Sequence, residues 1–246
     1  MITDDDHKGR FFITVGWIIV LGYALRLFHT VYYYTLSRDS YTYVNIIEQD
    51  GAVLDLDVQE SIFPLFVWIY RIPHYLLPDS LNAYRGLSLA FGLTTIYVII
   101  CITRQIIDNR IAWISSGLLA ATEPRLVHYS SQIQRESLYL LFCSLILLFA
   151  IKYMIRQNWR NLTLLSCVWG CSPLIRHESV EFIPFIILGI YIANINKPLS
   201  RRFLCIFLWF GVSIVVAFSV LSLIDPTNVF IRFYSNRIYG VLVSIK

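Results

Sequence analysis

Residues 62–77 read IFPLFVWIYRIPHYLL, and whether they cross a membrane decides the topology of everything that follows. The stretch is apolar, but it is short, and Arg71, Pro73 and His74 interrupt it. A helix that spans the hydrocarbon core needs about 20 mostly apolar residues. The clear candidates are Phe11 to Tyr32, Leu87 to Thr103, Ile111 to Ala121 continuing toward His128, Leu138 to Met154, and Phe203 to Ile224. The stretch from Asn161 to Asn194 is apolar except for RHESVE in its middle. Its length suits two short helices, each holding a proline (Pro173, Pro184) and meeting at Arg176, His177 and Glu178. The expectation is seven spans.

Charge settles the ambiguous stretch. If 62–77 does not span and the N-terminus is inside, four short segments face the cytoplasm. They are the N-terminus (Lys8, Arg10), TRQIIDNR (Arg104, Arg110), KYMIRQNWR (Lys152, Arg156, Arg160) and NKPLSRR (Lys197, Arg201, Arg202). Each is basic, as the positive-inside rule requires. A spanning 62–77 would turn the last three outward. We therefore read it as a re-entrant or interfacial helix on the outer surface, an ordinary eighth span being the alternative. The expected fold is an all-α membrane protein of about seven transmembrane helices in one domain. It has a cytoplasmic N-terminus (1–10), a long outer loop with juxtamembrane helices (33–86), a helical bundle (87–224) and an outer tail (225–246).

Composition agrees with this class. The chain is 57% hydrophobic and 15% charged, with a mean hydropathy of +0.63, which a soluble domain of this length would not carry. No basic stripe interleaved with aromatics points to nucleic acid. Cys101, Cys143, Cys167, Cys171 and Cys205 all lie in apolar runs, so they read as packing thiols rather than a disulfide framework. The charged lead and apolar run at the N-terminus, with no small-residue cleavage site after it, read as an uncleaved signal anchor. The NLT at Asn161 falls on the expected cytoplasmic side, where it is no glycosylation acceptor.

The same sorting gathers polar residues at the outer surface, where charges near membrane depth tend to mark functional paths. In SRDSYTY (37–43), Asp39 can serve as a general base toward an acceptor hydroxyl or amine. With Ser40 after it, Asp39 also suits the N-cap of a helix, and a cap leaves one carboxylate oxygen free. Arg85, Arg135 and Arg176 each stand at the outer end of an apolar run. Such a guanidinium either clamps a phosphate in two-pronged fashion or is neutralised by a neighbour, Glu136 for Arg135 and Glu178 for Arg176. Glu136, His177 and Glu178 are placed to orient substrate hydroxyls. His74 and His128 suit interfacial positions, and the clusters at Tyr32–Tyr34 and Phe66–Tyr70 suit an aromatic belt.

The order of these pieces resembles a known family. A first span leads into SRDSYTY, followed by FPLFVWIYRIPHYLL, YRGLSLAFGLTTIYVIICITRQI, a basic turn, ATEPRLVHYSSQIQRESLYLLF and LIRHESVEFIPFIIL. This is similar to the GT-C superfamily of integral-membrane glycosyltransferases, in the branch of protein O-mannosyltransferases and lipid A aminoarabinose transferases. The resemblance implies a catalytic base at Asp39 in the first outer loop, with Tyr43 as the aromatic after it. It also implies a juxtamembrane helix opening at Pro64-Leu65, an arginine at Arg85 entering the second span, an acid at Glu136, and a polar pair at Arg176 and Glu178. Two departures stand out. Ser40 replaces the second acid that many members carry, and members are usually about twice as long, so a partner subunit supplying further spans is one expectation.

The function expected is transfer of a sugar from a polyprenyl-phosphate donor to a lipid, glycan or protein acceptor at the outer face of the cytoplasmic membrane. Asp39 deprotonates the acceptor, and Arg85, Arg135 or Arg176 holds the leaving phosphate. No metal, nucleotide or other cofactor is required by the pattern, since the outer acids are scattered without ligand spacing. Expected partners are membrane lipid, the lipid-linked sugar and the acceptor, without nucleic acid. Two other readings stay open. A transporter shares the proline-broken helices with charges between them, although no internal repeat is present, and a truncated, non-catalytic homologue shares the whole pattern.

Overall fold

The computed structural model describes residues 4–32, 36–48, 64–76 and 80–224. Within them the chain forms ten α-helices and no strand. They are α1 (Asp4–Tyr32), α2 (Arg38–Glu48), α3 (Pro64–Leu76), α4 (Ser80–Ile106), α5 (Arg110–Thr122), α6 (Pro124–Ser131), α7 (Arg135–Arg156), α8 (Trp159–Cys171), α9 (Ile183–Ala193) and α10 (Leu199–Ile224). Two 3-10 segments, Ser172–Leu174 and His177–Phe182, join α8 to α9. The middle of the outer loop (49–63), Tyr33 and Tyr34, the side chains of Lys8, Arg10 and His74, and the tail 225–246 with its DPTNVF lie outside the described residues.

Hydrocarbon offers backbone groups no partner, so only structures that satisfy their own hydrogen bonds cross it. Four helices are individually long and apolar enough, through Phe11–Tyr32, Leu81–Ile106, Arg135–Arg156 and Leu199–Ile224. At 1.5 Å per residue these reach about 33–39 Å, beyond the roughly 30 Å hydrocarbon core. Their outer faces are what lipid would meet. Phe12, Trp17 and Phe28 on α1 and Phe207, Val215 and Leu223 on α10 are exposed, while Val15 and Ile18, and Trp209 and Ser213, face inward. Such continuous apolar faces mark a membrane protein.

The three remaining expected spans are built from shorter pieces. The run expected from Ile111 toward His128 breaks at Glu123, because Pro124 forces the preceding residue out of the helical region. Glu123 is extended (φ −60°, ψ 119°), and its carboxylate caps α6 by accepting the Leu126 N–H at 2.8 Å. Helices α8 and α9 span 13 and 11 residues and meet at the 3-10 corner, with Pro173 in the first 3-10 segment and Pro184 in the first turn of α9.

Helices α4 and α7 pack together at the centre, with α1, α5 and α6 on one flank and α8, α9 and α10 on the other. Helices α8 and α10 approach closely through small residues, as is common between helices in membranes. A Cβ on Gly170 would lie 2.5 Å from the Ser213 carbonyl oxygen. Gly170→Val is therefore expected to force these backbones apart and cost about 1–3 kcal/mol, readable as a lower melting temperature of the detergent-solubilised protein.

The bundle has two chemically distinct ends. At one, Arg104 lies over the Phe11 ring at 4.3 Å, and Arg202 bonds Tyr191 at 2.9 Å beside the α9–α10 turn. The basic connections gather here. The opposite end is closed by α2 and α3. Pro73 lies within α3, whose 13 residues reach about 20 Å, too short to span. Leu65, Phe66, Val67 and Tyr70 of α3 pack against Tyr43, Val44 and Ile47 of α2 and against Tyr84, Leu138 and Leu221. The hydroxyls of Tyr70 and Ser88 meet at 2.6 Å, and burial pushes the phenol up to about 12. The stretch whose spanning was in question is thus a short helix laid on the bundle's end.

Candidate active site at the capped end

Glu136 and Arg135 open α7, an acid in the first turn being favoured by the helix dipole. Arg176 precedes the second 3-10 segment, which carries His177 and Glu178. The bundle brings them into one chain of charges. Arg135 Nε lies 3.6 Å from Glu136 Oε1, and Arg176 Nη1 lies 3.4 Å from that same oxygen. Arg176 Nε meets Glu178 Oε1 at 3.0 Å, and His177 Nδ1 stands 3.4 Å from Glu178 Oε2. The Arg176 guanidinium also lies 5.4 Å from the centre of the Tyr139 ring, within cation–π range.

Partial burial works against the charge on Arg176, but Glu178 and Glu136 outweigh it and raise its pKa. Burial alone would raise the Glu178 carboxyl; its backbone hydrogen bond and Arg176 hold it below the usual range. The expected neutralising pairs, Arg135 with Glu136 and Arg176 with Glu178, therefore exist. Arg176 shares two acids and links α7 to the corner. Arg85 is buried on α4.

Asp39 comes to the cluster on α2. Its next turn carries Tyr43, buried against Phe66 at a ring distance of 5.2 Å. Burial raises the Tyr43 phenol, and Arg135, Glu136, Asp39 and Arg176 all lie close enough to act on it. Tyr43 is therefore near both the loop acid and the arginine–glutamate chain. The expected N-cap role of Asp39 falls instead to Ser37, whose hydroxyl accepts the Ser40 N–H at 3.2 Å. Helix α2 starts one residue before Asp39, which puts its side chain in the first turn, exposed and without a hydrogen bond among the described residues. Both oxygens are thus available.

Several residues at this end escape sequence reasoning. Ser37, Ser40, Gln132 and Gln134 bond one another beneath Asp39. Arg26, fully buried in α1, donates to Ser130 Oγ at 2.7 Å, Gly22 O at 3.0 Å and Ala121 O at 3.1 Å. No carboxylate is among these partners. Ser130 and Ala121 are nine residues apart yet reach one guanidinium, which the turn at Glu123–Pro124 makes possible. Gly92 permits the approach, since a Cβ there would collide with Ser130 and come 3.1 Å from Arg26 Nε. One signal for Arg26 was present: it is the lone Asp, Glu, Lys or Arg in the run Phe11–Tyr32, and ionisable residues inside spans are expensive.

A model of the dolichyl-phosphate-mannose-protein mannosyltransferase family matches residues 61–224. No curated protein matches the chain. The matched segment runs from α3 to α10 and contains Arg85, Arg135, Glu136, Arg176, His177 and Glu178. It begins after Asp39 and Tyr43, which the fold alone brings to the charged cluster. Matched over more than half its length, and built as an all-helical bundle with membrane-length spans, the chain belongs to this family of membrane glycosyltransferases and carries its GT-C core.

Proposed function

We propose that the protein transfers a sugar from a polyprenyl-phosphate donor to a hydroxyl or amine of a lipid, glycan or protein acceptor. The reaction takes place at the outer face of the cytoplasmic membrane, with the N-terminus inside. The observation that carries this reading is a chain of two arginines and two glutamates close to Tyr43, one turn along α2 from the unengaged carboxylate of Asp39. Asp39 accepts the acceptor's proton as the acceptor oxygen or nitrogen bonds to the anomeric carbon. The bond from that carbon to the phosphate oxygen breaks, and its electron pair leaves with the polyprenyl phosphate. Arg135 and Arg176 stabilise the charge gained by the departing phosphate. Glu136, His177 and Glu178 orient the arginines and hydroxyl groups of the sugar. Arg85 enters as a further phosphate contact. The orientation rests on the separation of the ends, with the basic turns opposite the proposed site.

The hydrocarbon part of such a donor has a place to go. An apolar groove of about 360 Å³ runs between α7 and α9, lined among others by Cys143, Leu147, Leu165, Phe182, Ile186 and Gly189. Its upper end, at Cys143, is one helical turn from Tyr139, the ring under Arg176. A phosphate held at Arg176 would leave its prenyl chain pointing into this groove.

The test is a panel of labelled polyprenyl-phosphate sugars of differing chain length, incubated with membranes carrying the protein. Transfer of label to an acceptor fraction is expected, rising with chain length. A Cβ on Gly189 would find only Met154 Sδ within 4 Å, at 3.8 Å, so Gly189→Trp puts an indole into the groove. Displacing even two buried methylenes at about 0.8 kcal/mol each corresponds to roughly a tenfold loss with long-chain donors, and short-chain donors should lose much less. Accumulation of intact donor across sealed vesicles without transfer would replace this reading with transport.

A further inference from the structure

We propose that Gln132 and Gln134 are positioning residues that set the place of Asp39 relative to the arginine–glutamate chain. This rests on the reading of Asp39 as the base. Helix α2 has 11 residues, and an isolated helix of that length is marginal in water. Something must therefore fix its first turn, where Asp39 sits. The linker between α6 and α7 does so. Gln132 Oε1 accepts from the Ser37 N–H and the Ser40 hydroxyl, each at 3.4 Å. Gln134 Nε2 donates to Ser37 Oγ at 3.2 Å.

The proton count closes this network. With the Ser40 hydroxyl proton on Gln132 Oε1, the 2.8 Å contact between the two serine oxygens uses the proton of Ser37. Ser37 Oγ then gives one hydrogen bond and accepts two, from the Ser40 N–H and Gln134 Nε2. Five contacts thus tie the first turn of α2 to the linker. Ser40 is fully buried, Gln132 is 3% and Gln134 7% exposed, and hydrogen bonds between buried groups hold their partners in place.

The linker's position gives this rigidity its purpose. Gln134 is followed directly by Arg135 and Glu136, the first charges of the cluster. The same few residues thus hold the base from one side and the phosphate-binding charges from the other. Base and leaving group are kept in register through peptide geometry. The network also accounts for the serine at position 40. A carboxylate there would only accept hydrogen bonds and would face Gln132 Oε1. Turning the glutamine amide over to serve it would present an NH₂ to the Ser37 N–H.

The test uses the full-length protein in membranes with Gln132→Met and Gln134→Met, which keep side-chain length and remove the hydrogen bonds. Each is expected to lower kcat about 10–100-fold, the scale of a misplaced catalytic group, with KM for the donor little changed. In an Asp39→Asn background the same substitutions should cost almost nothing further, because their effect passes through the base. Amide exchange of residues 38–48 should be faster in both variants. Wild-type kcat in the double glutamine variant, or losses that add fully to that of Asp39→Asn, would overturn the proposal. If Asp39→Asn itself keeps full activity, the base reading fails, and the exchange measurement still decides the clamp: unchanged protection of α2 overturns it.

Discussion

Asp39→Asn should lower transfer by about 10²–10⁴-fold, the usual contribution of a positioned general base, while leaving the protein in the membrane with an unchanged melting temperature. The second half of this expectation is as informative as the first. The Asp39 carboxylate has no hydrogen bond or ion pair among the described residues, and Ser37 supplies the cap of α2. Asparagine therefore removes proton acceptance and little else. An exposed surface aspartate without a chemical role would give a change within about ±0.5 kcal/mol in stability and none in rate. A variant within threefold of wild type, under conditions where transfer and not product release limits turnover, would remove Asp39 from the mechanism.

Arg176→Gln carries the second large effect. Removing one donor that stabilises developing charge costs about 10²–10³ in kcat, and here the same guanidinium links Glu136 to Glu178 at 3.4 and 3.0 Å. Binding of the polyprenyl phosphate product should weaken together with turnover, because both use the same contact. Arg176→Lys is expected to recover only part, since an ammonium cannot present a planar fork to two acids and a phosphate. Loss of turnover with unaltered product inhibition would place the phosphate elsewhere, at Arg135 or Arg85. The Arg176–Glu178 pair also carries a pH signature. Glu178 has its pKa depressed in the folded state. Its stabilising contribution is therefore present above the ordinary carboxylate pKa and is lost as pH falls through the lowered folded value. This contribution to the melting temperature should hold across neutral pH and fall on acidification from the ordinary carboxylate pKa downward, and Glu178→Gln should reduce that fall.

The candidate site was legible in the sequence to the extent that its members are charged. Arg135, Glu136, Arg176, His177 and Glu178 stand out because an ionised group in an apolar chain is costly and needs a reason. Their assembly into one chain of ion pairs follows from helices whose ends are already sorted. Arg26 offered the same signal and was passed over, because the first run reads so readily as a simple anchor. Gln132, Gln134, Ser37 and Ser40 carried no such signal. Neutral polar residues beside a membrane surface are ordinary, and only their partners, 92 to 97 residues away in sequence for the bonds between helix and linker, give them meaning. The break at Glu123 was legible in Pro124, but the apolar run on both sides hid it.

The class of the molecule, and where its basic and polar connections fall along the chain, follow from amino-acid order alone. Length of apolar run and placement of arginine and lysine are one-dimensional quantities, and the bilayer converts them directly into spans and sides. The same quantities read residues 62–77 as an interfacial helix, and α3 there is only 13 residues long. Which polar groups meet depends on the folded bundle. It placed Asp39 one turn from a tyrosine that feels both arginines, moved the helix cap from Asp39 to Ser37, and gathered α1, α5 and α6 around Arg26. Hydrogen bonds act over about 3 Å, whereas their partners here are separated by up to 105 residues, and folding alone brings such groups within reach of one another.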